Sequence, residues 1–170
     1  MKSKKNTFVS RAAVGCVTTA IFLLLCIIKG IYPFGIATLD TVDFQSQWIP
    51  AYYHVWDVLH GDGSAFFDWR VGGGNNFAGV SAQFSLFSPF NLFFLFVKRS
   101  WIGKSMIVFL LIKLLAMGYG MRWFLKEQIL KEERYGIYIL AGSVGYAVNG
   151  YTLLYYGMGW LDVAAILPLL

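Results

Sequence analysis

The sequence predicts an all-α integral membrane protein built as a polytopic helical bundle, and three observations carry that prediction. Hydrophobic residues make up 58% of the chain and charged ones only 14%, with a mean hydropathy of +0.60, well above the usage of a water-soluble domain. Apolar runs of membrane-spanning length recur along the chain. The basic residues, which give a net charge of +5, cluster beside those runs, where they orient a chain in a bilayer. That placement argues for lipid and against nucleic acid as a partner.

The first element is a span over about residues 9–30. Lys2, Lys4, Lys5 and Arg11 precede an uncharged run from Ala12 to Ile28, which at helical rise reaches about 25 Å, membrane thickness once flanking apolar residues join it. A cleavable signal peptide competes, since "GIA" at 35–37 places small residues before Thr38; the run is long for such a segment, and further spans follow. The basic flank predicts a cytoplasmic N-terminus and an extracytoplasmic first loop. Cys16 and Cys26 both fall in this run, roughly 15 Å apart along one helix and too distant for a disulfide.

The outer loop, residues 33–83, is punctuated by Pro, Gly and acids. Within it "QWIPAYYHVWDVL" places Trp48, Tyr52, Val55 and Leu59 on one stripe of a short helix, whose Trp and Tyr content suits the headgroup level. Residues 84–97, "FSLFSPFNLFFLFV", are apolar but interrupted by Pro89 and Asn91. They either span or form an interfacial or re-entrant piece. Without a span here, Lys2, Lys4, Lys5, Arg11, Arg122, Lys126, Lys131 and Arg134 face Lys29, Arg70, Lys98, Arg99 and Lys104, eight against five; with one, the split is seven to six. The larger asymmetry favours the interfacial or re-entrant reading.

A span over 105–124 carries Lys113 near its middle. A lysine at that depth costs roughly 3 kcal/mol on insertion scales, so it either faces a protein neighbour or polar cavity or snorkels along a tilted helix. "KEQILKEER" follows as an inner loop, helical by propensity, with Glu127 and Lys131 at i and i+4. The next span, 136–156, is glycine- and tyrosine-rich and is expected to deliver Trp160 and Asp162 to the outer surface. Residues 163–170, "VAAILPLL", are too few to cross a bilayer and read as the start of another span in a longer protein.

Soluble-enzyme motifs are lacking. "GGGNN" at 72–76 has no Gly-Lys-Ser/Thr of a P-loop, and His54 and His60 have no cysteine partners for zinc. The glycines serve sharp backbone turns, and His54 reads as an interfacial residue that satisfies its ring nitrogens locally. Attention falls on the carboxylates of "LDTVDFQSQWIPAYYHVWD", residues 39–57: Asp40, Asp43 and Asp57. Asp62, in "HGDGS", is turn chemistry. Asp40 and Asp43 lie so close to the first span that the chain cannot carry them far from the membrane surface. An acid there can act as general base toward a hydroxyl, or hold Mg²⁺ or Mn²⁺ against a phosphate leaving group.

The series "DFQSQWIPAYYHVWDVLHGDGSAFFDWRVGGGNNFAGVSAQFSLFSPFNL" resembles the first outer loop of the YfhO family of bacterial polytopic membrane proteins, where an Asp precedes a Gln-aromatic-x-Pro stretch. The pattern continues with a glycine turn, an aromatic-Trp segment with glycines and "NF", and "SPFNL". "SVGYAVNGYTLLYYGMGWLDVAAILPLL" is similar to that family's following segment, so the resemblance covers roughly residues 35–170. Gln-Trp in place of the commoner Gln-Tyr and the altered "VGGGNN" stretch are departures; neither removes the acid.

Such proteins resemble GT-C glycosyltransferases, which take a sugar from a polyprenyl-phosphate carrier on the outer face of the membrane. The resemblance implies a bundle of GT-C type with short interfacial helices in its first loop, in the bacterial cytoplasmic membrane. It also implies transfer to a cell-envelope polymer such as teichoic or lipoteichoic acid. Carried over position by position, Asp43 is the catalytic acid, with Asp40 secondary and both potential ligands of a divalent cation. Gln47, Trp48, Trp69 and Asn76 fall on the substrate motifs, and Phe77 follows Asn76 in the pattern. Arg70 is expected, from charge and loop position, to meet the donor phosphate or else a lipid headgroup. Two other classes remain open: a lipid or polymer transporter, which would use Lys113 and the glycine-rich spans as a path, and a noncatalytic membrane assembly subunit.

Overall fold

The computed structural model describes the backbone of residues 2–37, 39, 43–80, 88–130, 135–155 and 160–170, with side chains from residue 11 onward in those ranges except 80 and 160. Asp40 therefore lies outside the described residues. Among the described residues three helical stretches are long and apolar enough to cross a membrane: Arg11–Ile28, Arg99–Ile129 and Gly136–Leu154. The first belongs to helix α1 (Lys2–Ile28). Between it and the second lies a loop module of α2 (Ile49–Leu59), a hairpin of β1 (Phe67–Asp68) and β2 (Asn75–Asn76), and α3 (Phe77–Val80). Helix α4 (Ile102–Phe124) forms the second span, α5 (Gly136–Ala147) and α6 (Gly150–Leu154) the third, and α7 (Trp160–Ile166) follows.

α4 is the central post, packed against α1, α5 and α7. Its buried positions Met106, Phe109, Leu110, Lys113, Leu114 and Met117 recur at three- and four-residue steps, the stripe that a helix turns toward neighbours. Near the end away from the loop module, Gly118 lets three helices close in. A Cβ there would stand 3.3 Å from Val14 Cγ1 on α1 and 3.6 Å from Ala147 Cβ on α5, the small-residue approach by which helices associate in lipid. Leu24, Ile27 and Ile28 on α1 and Ile137 and Tyr138 on α5 stay exposed, as a lipid-facing surface requires.

The third span is broken after α5, and Asn149 repairs the break. Its Nδ2 donates to Tyr146 O at 2.6 Å while its Oδ1 accepts from Thr152 N at 3.0 Å, so groups freed by the interruption find partners within the chain. Beyond it α7 runs back along α4, fixed by Tyr146 Oη donating to Ala164 O at 2.8 Å.

This return corrects one expectation. Asp162 does not lie on an outer surface; it is buried, with Oδ1 2.6 Å from Lys113 Nζ. The Lys113 ammonium also stands 4.5 Å from the centroid of Phe109. Snorkelling is thereby overturned. A mid-span cation needs a counter-charge or a route to water, and the returning helix supplies the counter-charge.

In the loop module a π-helical turn, Phe44–Trp48, runs into α2. Pro50 follows the π-helical turn, in the first turn of α2. Gly61, at φ 83°, follows the helix end in the conformation favoured there. Trp48, Tyr52 and Val55 form the expected stripe, but it is buried against protein: the Tyr52 ring lies 5.3 Å from both Phe94 and Phe109. The β1–β2 hairpin pairs Phe67 with Asn76 and Asp68 with Asn75, a small strand element that the glycine-rich sequence does not announce. Its turn passes through Gly72, Gly73 and Gly74, all at positive φ, a region that side chains rarely enter.

Pro89–Phe96 is a 3-10 helix of 8 residues whose first turn is capped by Ser88, Oγ accepting from Phe90 N at 3.2 Å. At about 2 Å per residue it covers roughly 16 Å and does not cross a bilayer by itself. It packs against α2 and α4; residues 81–87, which precede it, lie outside the described residues.

Candidate functional site

Asp57 organises the loop module. It lies on α2, 4% exposed, and holds two arginines from distant segments. Oδ1 accepts from Arg99 Nε at 2.7 Å; Oδ2 accepts from Arg70 Nη1 at 3.0 Å and Arg99 Nη2 at 3.3 Å. Arg70 is shared with Asp68, donating from Nε at 3.0 Å and from Nη2 at 2.7 Å, and Nη2 also reaches Asp62 O at 3.0 Å. The Arg99 hydrogen bond, with both nearby guanidiniums, holds the Asp57 carboxyl below its ordinary range against the opposing effect of burial. Arg70's hydrogen bonds likewise hold Asp68 far below the usual carboxylate range, and Asp68 in turn raises Arg70.

Both arginine side chains remain half exposed, 50% and 52%. They line an open cavity of about 530 Å³ with Gln47, Tyr53, His54 and Asp57. Arg99 stacks over the Tyr53 ring at 5.1 Å, and its Nη1 has no hydrogen-bond partner among the described residues. His54 is held at the wall: Nε2 lies 3.0 Å from Ser64 O, and its ring meets Phe77 edge-on at 3.9 Å. The cavity therefore presents hydrogen-bond donors of two fixed cations, the preorganised arrangement that suits a phosphate or carboxylate.

The residues expected from sequence distribute unevenly around this cavity. Asp43 is exposed at the head of the π-helical turn and caps no helix. Its Oδ1 accepts from Gln47 Nε2 at 3.4 Å, and Gln47 lines the cavity, so the acid stands one side chain away from the cavity. Arg70 is in the wall itself. Trp48 is turned into the core and is not among the cavity's lining residues. Trp69, 76% exposed, stands on the hairpin beside Phe67 at 5.2 Å, beneath Gly74. Asn76 is exposed and accepts from Gly79 N at 3.2 Å, a local turn role.

Asp57 stands among the loop carboxylates that the sequence draws attention to but receives no role there, and Asp68 and Arg99 are passed over. Only the i, i+4 pairing of Tyr53 with Asp57 on α2 hints at a polar face opposite the buried stripe. Among the described residues no three His, Cys, Asp or Glu converge; Asp43 supplies one carboxylate, and Asp40, its expected co-ligand for a divalent cation, lies outside the described residues.

Comparison with known proteins bears on this loop and on the spans together. No curated protein and no solved structure matches the chain significantly. A family model described as bacterial membrane protein YfhO matches residues 15–170, taking in all three spans, the arginine cavity and the returning α7. On that match the chain belongs to the YfhO family of bacterial membrane proteins.

Proposed function

We propose that this chain carries the loop site of a GT-C-like membrane glycosyltransferase, which moves a sugar from a polyprenyl-phosphate-linked donor to an extracytoplasmic cell-envelope polymer such as a teichoic acid. The observation that supports it best is a cavity walled by two arginines with an exposed carboxylate, Asp43, one side chain away, in contact with its lining residue Gln47. In this reading the N-terminus is cytoplasmic and the loop module faces outward, in line with the basic residues ahead of α1.

The chemistry assigns each group one task. Asp43 accepts the proton of an acceptor hydroxyl as its oxygen bonds to the anomeric carbon. The bond from that carbon to the phosphate oxygen breaks, its electron pair stays on the polyprenyl phosphate, and Arg70 and Arg99 meet the charge. Trp69, exposed on the hairpin and next to Arg70 in the chain, offers an aromatic face to sugar or polymer. No step is routed through a metal.

Asp43→Asn in the full-length protein tests the assignment. It keeps size and removes the base, so transfer in membranes supplied with lipid-linked sugar should fall about 10²- to 10⁴-fold, while Asp62→Asn behaves as the parent. Parental rates in Asp43→Asn would remove the catalytic role. The buried Lys113–Asp162 pair favours the second reading, a lipid or polymer transporter, since intramembrane charges commonly mark transport paths. That reading predicts an Asp43→Asn protein that still moves its cargo.

A further inference from the structure

A second cavity, about 450 Å³, opens between α1, α4, α6 and α7. Phe22, Leu25 and Cys26 form one wall and Leu110, Leu114 and Leu161 others. It shares no lining residue with the arginine cavity. Lys29, just past α1, also lines it, and an adjoining cavity of about 330 Å³, which shares Ile31 and Leu39 with it, is lined by Lys104. Both lysines are exposed, and neither has a carboxylate partner among the described residues. Lys104 Nζ is held 5.7 Å from the ring centroids of both Tyr32 and Trp101.

Inside the apolar part stands one anomaly. Thr152 lines the cavity wholly buried, and its Oγ1 has no hydrogen-bond partner among the described residues. A buried hydroxyl without a partner is unfavourable, so an occupant that brings an acceptor to it is favoured over one that brings only hydrocarbon.

We propose that this cleft binds one acyl chain of an anionic phospholipid, its phosphate held by Lys29 and Lys104 and an ester carbonyl accepting from Thr152. Lysines at the end of a span lie where lipid phosphates lie, and their charge selects anionic heads. The apolar walls take the chain. The orphan hydroxyl distinguishes the occupant: an acyl ester carries a carbonyl close to its head, whereas an isoprenoid chain carries no acceptor along its length.

The full-length protein in phosphatidylcholine nanodiscs, doped with a diazirine-bearing phosphatidylglycerol, provides the test. Illumination and peptide mapping should place crosslinks on residues 22–29 and 110–114. Lys29→Gln and Lys104→Gln should each lower the yield about fivefold, and Leu114→Trp, which fills the cleft, should abolish it while insertion and gel-filtration behaviour stay parental. Thr152→Val should weaken labelling without altering its position. Equal labelling by a diazirine phosphatidylcholine, labelling that survives Leu114→Trp, or failure to label those peptides because protein fills the cleft would each overturn the proposal. Displacement by equimolar polyprenyl phosphate would overturn it too, giving the cleft to an isoprenoid. No sugar transfer enters the readout, so the result is independent of the proposed glycosyltransferase activity.

Discussion

Replacing Lys113 by leucine removes the one counter-charge that a buried carboxylate has among the described residues. The Lys113 and Asp162 side chains are 2% and 7% exposed, with Nζ 2.6 Å from Oδ1. Apart from Lys113, the Asp162 carboxylate has no partner among the described residues to share its charge. Breaking a buried pair in this way costs about 3–5 kcal/mol, and for a protein of this size such a loss lowers the melting temperature by about 10 °C. Asp162→Leu should cost a similar amount by stranding the lysine. The double variant, Lys113→Leu with Asp162→Leu, leaves no stranded charge and should return to within about 3 °C of the parent, since an apolar pair of similar volume commonly replaces an ion pair without loss. Thermal unfolding of the detergent-solubilised full-length protein, followed by intrinsic tryptophan fluorescence, gives the four corners of the cycle. Additive single effects, with the double variant worse than either, would refute the pairing and the packing of α7 on α4 that it implies.

Three further outcomes follow from the loop and its surroundings. Single cysteines at Ser64 and Gln128, both exposed, in a background lacking Cys16 and Cys26, should react differently with an impermeant maleimide in intact cells; equal labelling would contradict an outward loop. Asp57 and Asp68 have carboxyls depressed in the folded protein, so their contribution is complete above the unfolded value of about 3.9 and fades as pH falls through the folded values. Hydrogen-exchange protection factors over residues 65–78, corrected for the intrinsic rate at each pH, should be the same at pH 8 and 6 and fall below about pH 4; a fall beginning near pH 6 would point to another titrating group. Gly74→Ala should loosen the hairpin by on the order of 1 kcal/mol or more, because φ is 109° and a Cβ would stand 2.7 Å from the Trp69 ring; proteolysis at parental rates within residues 65–78 would show the strain absent.

The spans and the α2 stripe were legible in the sequence because each is a local pattern: an uninterrupted apolar run, or apolar residues at helical steps. Lys113 was legible as a problem, since a charge at that depth needs an explanation. Its solution was not, because Asp162 belongs to a helix that turns back, and no spacing rule relates the two. The arginine cavity escaped for the same reason. Arg70 was singled out by its charge and loop position, but its partners were not: Asp57, Asp68 and Arg99 come from a helix, a hairpin and the approach to a span, and nothing in their spacing joins them until the chain is folded. Asp43 and Gln47, neighbours in sequence, were accessible to pattern; the link that Gln47 makes to the cavity was not.

Arg99 belongs to two parts of the molecule at once. It grips Asp57 on the loop helix, and it begins the 3-10 turn that leads directly into α4; two residues earlier, Val97 O accepts from Trp56 Nε1 at 2.7 Å. The cavity wall and the first turn of the central span are thus tied to α2 by neighbouring residues, with α2 also packed directly on α4. A substitution that frees Arg99 from Asp57 therefore loosens the seating of α4 on the loop helix as well as the cavity, so damage at this position is read in the bundle and not in the loop alone.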